Sequence, residues 1–158
     1  MKSYPLLAVL LTSFFFSHTA SAESTLTFES AWIAEAPPSS QVMVAYMTIN
    51  NAGDEVTKIV SATSPNFKSI SFHQTQQEGD MAKMKHMSTL TIPAKGKPVL
   101  EAGSHHIMLF NPVEKLKAGA QVALELKQEN GETIELMVPV KKQNTDHNSH
   151  DHSKHMHH

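Results

Sequence analysis

The segment QVALELKQENGETIELMVPV, residues 121–140, decides the fold class. Val122, Leu124 and Leu126 alternate with polar residues, and Ile134, Leu136 and Val138 alternate on the return. A period of two puts each set of apolar side chains on one face of an extended chain. Asn130-Gly131 stands between the two runs, a dipeptide that strongly favours a hairpin turn. The segment therefore predicts two antiparallel strands with one face in a core.

The same reading extends toward the N-terminus. His105 to Phe110 reads as a strand, and Pro98 to Glu101 as a short one after the turn Ile92-Pro93-Ala94-Lys95-Gly96. Met81 to Met87 is a further short strand in which Met84 and His86 share a face. Gln76 to Asp80, with Gly79, reads as a polar loop, which leaves His73 near the end of a strand from Phe67 to Gln74. Ser64-Pro65-Asn66 breaks the chain before that strand, and Val56 to Ala62 forms another. Val42 to Asn50 is apolar on both faces and reads as central, followed by the turn Asn51-Ala52-Gly53-Asp54. In Thr25 to Ile33, Leu26 and Phe28 alternate against polar neighbours. Many short strands separated by turn signals make an all-β sandwich. Leu116-Lys117-Ala118-Gly119 is at most one helical turn.

Both ends depart from this pattern. Residues 1–22 read as a cleaved secretory signal: Lys2, an apolar run from Leu6 to Phe16, and the small-residue site Ala20-Ser21-Ala22. The run is shorter than the roughly 20 apolar residues of a membrane span. No cysteine follows it, so no lipid is expected there. The domain proper is 23–142, a length suited to a single core. Residues 143–158 are His, Asp, Asn, Ser and Lys with almost nothing apolar, a composition that predicts disorder without metal. His147, His150, His152, His155, His157 and His158, with Met156 among them, read as a second, looser metal-binding tract, suited to Cu(II), Zn or Ni.

Composition excludes several classes. The 158 residues carry a net charge of −2 and contain no arginine, which argues against nucleic acid. No polybasic segment addresses a membrane surface, and no stable membrane insertion is expected. With no cysteine there is no disulfide, no Cys-x-x-Cys redox pair and no thiolate for a blue-copper centre.

What remains is a soft, neutral donor set. His73, Met84, His106 and Met108 follow a His-x10-Met-x21-His-x-Met spacing. Thioether sulfur selects Cu(I), and imidazole also suits copper. Two residues apart on a strand, His106 and Met108 face the same way, whereas His105 faces the opposite way. A sheet that gathers the other two would make one Cu(I) site. His86 and Met87 read either as an auxiliary pair or as plain surface residues, and the second reading is favoured. Met43, Met47 and Met137 read as core filler, and Trp32 as a core or edge aromatic.

Phe72-His73, Met84 and Gly103-Ser104-His105-His106-Ile107-Met108-Leu109 resemble the copper signature of the periplasmic copper chaperones called PCuAC. Ala31-Trp32-Ile33, Ala45-Tyr46-Met47-Thr48-Ile49-Asn50-Asn51 and Val138-Pro139-Val140 are also similar to that family, so the resemblance covers roughly residues 24–141. It implies a cupredoxin-like, Greek-key β-sandwich that binds Cu(I) in the periplasm. It also implies delivery to the copper-A subunit of a respiratory oxidase such as cytochrome c oxidase, with another copper chaperone as a second partner. Copper storage or tolerance without a dedicated acceptor is the alternative. An enzyme is not expected, because four protein ligands would fill a tetrahedral Cu(I) site.

Overall fold

The C-terminal hairpin is present as read. A computed structural model of the protein describes residues 25–79 and 81–143. In it β9 (Gln121–Gln128) and β10 (Thr133–Lys141) pair antiparallel, with Leu124 opposite Leu136 and Val122 opposite Val138. Val122, Leu124, Leu126 and Val138 are buried, because the period of two turns them all inward.

Eight more strands complete the fold: β1 (Leu26–Ala34), β2 (Val42–Asn51), β3 (Thr57–Thr63), β4 (Phe67–Glu78), β5 (Met81–Met87), β6 (Leu90–Ile92), β7 (Val99–Leu100) and β8 (His105–Pro112). No helix occurs among the described residues. The hydrogen-bonded order is β5-β4-β8-β7-β2-β1-β10-β9-β3-β6. The seam is a short parallel pairing of β1 with β10, Ile33 beside Val140 and Ala34 beside Lys141. One core cluster draws on both sides of that seam: Met47, Ile49, Ile107 and Leu109 from one side, Ile59, Leu124, Leu126 and Val138 from the other. The strands thus fold over as two packed layers, an all-β, cupredoxin-like sandwich, as expected. Apolar burial drives it, and no disulfide contributes.

Three readings are corrected. β4 does not stop at Gln74; it runs to Glu78 and returns through Gly79 into β5, pairing Glu78 with Met81. Gln76 and Gln77 look like loop residues by composition, but this end of the hairpin lies beyond the core, so polar side chains are compatible with pairing there. His73 therefore sits in mid-strand. Gly79 holds φ at +61°, a conformation that suits glycine in so tight a return. Met137 is not core filler: it is 64% exposed, since it stands between inward-leaning Leu136 and Val138.

Trp32 is the third. Continuing the alternation of Leu26 and Phe28 would point it inward. A bulge between Glu29 and Trp32, with Ser30 at φ +52°, shifts the register by one. Ile33 then pairs with Ala45 and is fully buried, while Trp32 pairs with Tyr46 on the outer face. The two rings lie 5.1 Å apart, tilted by 46°. Met43 and Met47, by contrast, are buried as expected.

Candidate metal centre

The site forms where β5, β4 and β8 lie side by side at one end of the strand order. Antiparallel pairing puts directly opposed residues on the same face. His73 of β4 is opposite His106 of β8 and also opposite His86 of β5. Ser71 is opposite Met108, and Thr75 is opposite Met84. All of these side chains therefore stand on the face turned away from the core. The intervening residues Phe72 and Ile107 point the other way and are buried.

The three imidazoles form a row. The rings of His73 and His106 are 5.9 Å apart and nearly parallel, and those of His73 and His86 are 5.5 Å apart and edge-on. Phe110 closes one side, its ring centre 6.4 Å from that of His73. Met84 and Met108 lie diagonally from His73, one step along the ladder in opposite directions, a separation of about 7–8 Å in an antiparallel pair. The structure thus brings the two histidines of the expected set together directly and flanks them with the two thioethers. Met84 is 65% exposed and unbranched, free to fold over the row. Among the described residues no three His, Asp or Glu side chains already converge on one point. A complete ligand sphere needs the thioethers or a turn of an exposed ring.

Local structure sets the ring nitrogens. His106 is buried although it lies on the outer face, only 5% exposed. Its Nδ1 lies 3.1 Å from the carbonyl oxygen of Ser104, so Nδ1–H donates there and Nε2 keeps the lone pair. That carbonyl is placed by the turn from β7 into β8, where Ser104 N–H donates to Glu101 O and Gly103 takes φ +79°. A side chain at Gly103 would be strained in this conformation. His73 Nε2 lies 2.8 Å from Ser71 Oγ. With Nε2–H donating to that hydroxyl, Nδ1 carries a bare lone pair. His73 Nδ1 is buried without a hydrogen-bond partner, the one such side-chain atom among the described residues. An unpartnered buried nitrogen is costly unless something such as a metal ion takes its lone pair.

Burial pushes the His73 pKa below the ordinary imidazole value, and positive charge on His106 or His86 pushes it the same way. Both effects favour the neutral ring, the form in which histidine ligates metals. Burial raises the Tyr46 hydroxyl pKa on the same outer face.

His105, His86 and Met87 do not share one face. His105 pairs with Gln74 and faces away from the row, as its spacing requires. Met87 pairs with Phe72 and packs against the core. His86 and Met87 are therefore no pair: His86 belongs to the imidazole row, and strand alternation in Met81–Met87 is the signal that separates them. The tail residues His147, His150, His152, His155, Met156, His157 and His158 lie outside the described residues.

Fold and site together define an all-β domain with a neutral His/Met donor cluster on an outer sheet face. Comparison with known proteins gives that class a family. The LpqE-like family model, described as "Putative lipoprotein LpqE-like", matches residues 26–140, and the chain belongs to that family. It is 31% identical over 112 residues to "Putative lipoprotein Lxx21020" of Leifsonia xyli subsp. xyli, covering 70% of this chain and 66% of that protein's length, just under two thirds. Among solved structures, the Cu(I) form of DR1885 from Deinococcus radiodurans is 36% identical, with TM-score 0.65 over 79% of this chain and 83% of that one. The copper-bound PCuAC domain of PmoF2 shares the fold at TM-score 0.66 and 16% identity, over 76% of this chain and 95% of that one. The PCuAC resemblance seen in the sequence is thereby matched by structural neighbours that are copper-binding domains.

Proposed function

We propose that this protein is an exported copper chaperone. It holds Cu(I) with His73, Met84, His106 and Met108 and hands it to a copper-centre acceptor, the copper-A subunit of a respiratory oxidase. The observation that carries the reading is the His73–His106 pair on one outer sheet face, with a thioether on each diagonal. Neither imidazole nor thioether must lose a proton to bind at neutral pH, so the set suits a monovalent soft ion. Separate weak donors at an accessible face release an ion stepwise to a partner's stronger ligands, which favours a carrier over a store. The copper-bound neighbours support the cargo, and a family described as lipoprotein supports export. The signal at 1–22 then addresses the chain to the periplasm. Among the described residues no helix is long and apolar enough to cross a membrane.

The C-terminal tract is proposed as a second site that collects Cu(II), raising the local copper concentration near the domain by tethering. A chain ending at Lys142 is expected to bind fewer Cu(II) ions than the full chain; an equal number refutes this part.

For the domain site the test is competition between the protein and a Cu(I) chelator, with X-ray absorption counting two sulfur and two nitrogen donors. Unchanged affinity in both Met84→Ala and His106→Ala, with the fold intact, defeats the reading. Copper transfer from the loaded protein to an apo oxidase subunit separates delivery from storage or tolerance.

A further inference from the structure

The Cu(I) set leaves one imidazole of the row unused. His86 is directly opposite His73, its ring 5.5 Å away, while Met84 of the same strand is only a diagonal neighbour. β5 is the terminal strand of the sheet, and His86 is exposed on it, so its ring is free to turn. His106 has its Nδ1–H committed to Ser104 and Nε2 free, and His73 has the unpartnered Nδ1. Three imidazoles on adjacent strands offer nitrogen donors only, a set that suits Cu(II) ahead of the other divalent first-row ions.

We propose that the same sheet face accepts Cu(II) through His73, His86 and His106, with His86 as the added donor, while Cu(I) is held by His73, Met84, His106 and Met108. The inference rests on reading this face as a copper site. Two histidines are common to both sets, and the outer ligands change: His86 on β5 for the divalent ion, the thioethers for the monovalent one. Met84 and His86 stand two residues apart on one side of β5, so a single exposed strand carries one donor specific to each state. No electron transfer is part of the proposal; each oxidation state is bound as supplied.

The test uses the full chain with His147, His150, His152, His155, His157 and His158 replaced by Asn, so that the tail does not compete. Cu(II) is added, and pulsed EPR counts the coordinated imidazoles. The parent is expected to show three. His86→Asn is expected to show two, with Cu(II) affinity lowered by about tenfold or more, in the range that loss of one supporting group causes at metal sites. Met84→Leu is expected to weaken Cu(I) in the chelator competition while leaving the three-imidazole Cu(II) signal. Lys85→Asn, on the other side of the same strand, controls for a general effect on β5, and far-ultraviolet circular dichroism checks the fold of each variant. A tail-substituted parent that binds no Cu(II), or an imidazole count and affinity unchanged by His86→Asn, overturns the inference. Cu(I) competition on the same parent reads the Cu(I) site separately. A parent that holds Cu(I) but shows no effect of His86→Asn leaves that site standing and removes only the Cu(II) set.

Discussion

The two faces of one three-stranded patch do opposite work. On β4 and β8 the residues Phe72, Ile107 and Leu109 point inward and build the core, and their chain neighbours His73, His106 and Met108 point outward and build the donor cluster. His106 and Ile107 are adjacent in sequence and both buried, yet one is buried against polar and aromatic groups and the other in hydrocarbon. The contrast teaches that the rigid donor face here is a by-product of a well-packed sheet. The core fixes the backbone, the backbone fixes the register, and the register spaces the donors. Stability and copper affinity should therefore respond to different residues of the same strands.

The sharpest way to break this separation is from the inner side. Ile107→Ala removes a fully buried side chain and is expected to cost about 2–5 kcal/mol of stability. Denaturant unfolding measures it, and the molecules that remain folded should keep their Cu(I) affinity. A large loss of affinity in the folded fraction would mean that the two faces are coupled. On the outer side, His106→Asn should keep the fold and lower Cu(I) affinity by at least about 10–100-fold. Loss of its bond to Ser104 adds about 1 kcal/mol of destabilisation, readable in the same unfolding curve.

A smaller effect is expected from Met84→Leu, which keeps the bulk and removes the sulfur. Since Met84 is exposed and reaches the row diagonally, Cu(I) affinity should fall by about tenfold, with stability unchanged. Chelator competition reads the first and thermal unfolding the second. The smallest belongs to Met137→Gln. Its exposed side chain on β10 takes part in neither face, so both stability and copper binding should stay within about 0.5 kcal/mol of the parent. A larger change would mean that Met137 contributes to one of the two faces after all.

Alternation was enough to read most strands and several side-chain directions. Two-residue spacing alone puts His106 with Met108, and Met84 with His86, on common faces, and the pairing registers agree. The same rule, applied to Leu136-Met137-Val138, turns Met137 outward, where residue type alone suggests a place in the core. Trp32 was beyond the rule, because a bulge at Ser30 reverses alternation and nothing in Glu29-Ser30-Ala31 announces one. The extension of β4 to Glu78 was hidden for a related reason. Polar residues in an overhanging hairpin have no core to alternate against, so they look like loop.

Residue chemistry and local periodicity come from the chain itself: which donors exist, that none is a thiol, and which neighbours within a strand face the same way. These depend only on side-chain type and on the pleat of an extended backbone. That β5, β4 and β8 are adjacent, and that His86, His73 and His106 fall in one row, depends on hydrogen bonds between segments distant in the chain. A shift of one residue in either pairing would send an imidazole to the other face, and only core packing on the inner side forbids that shift.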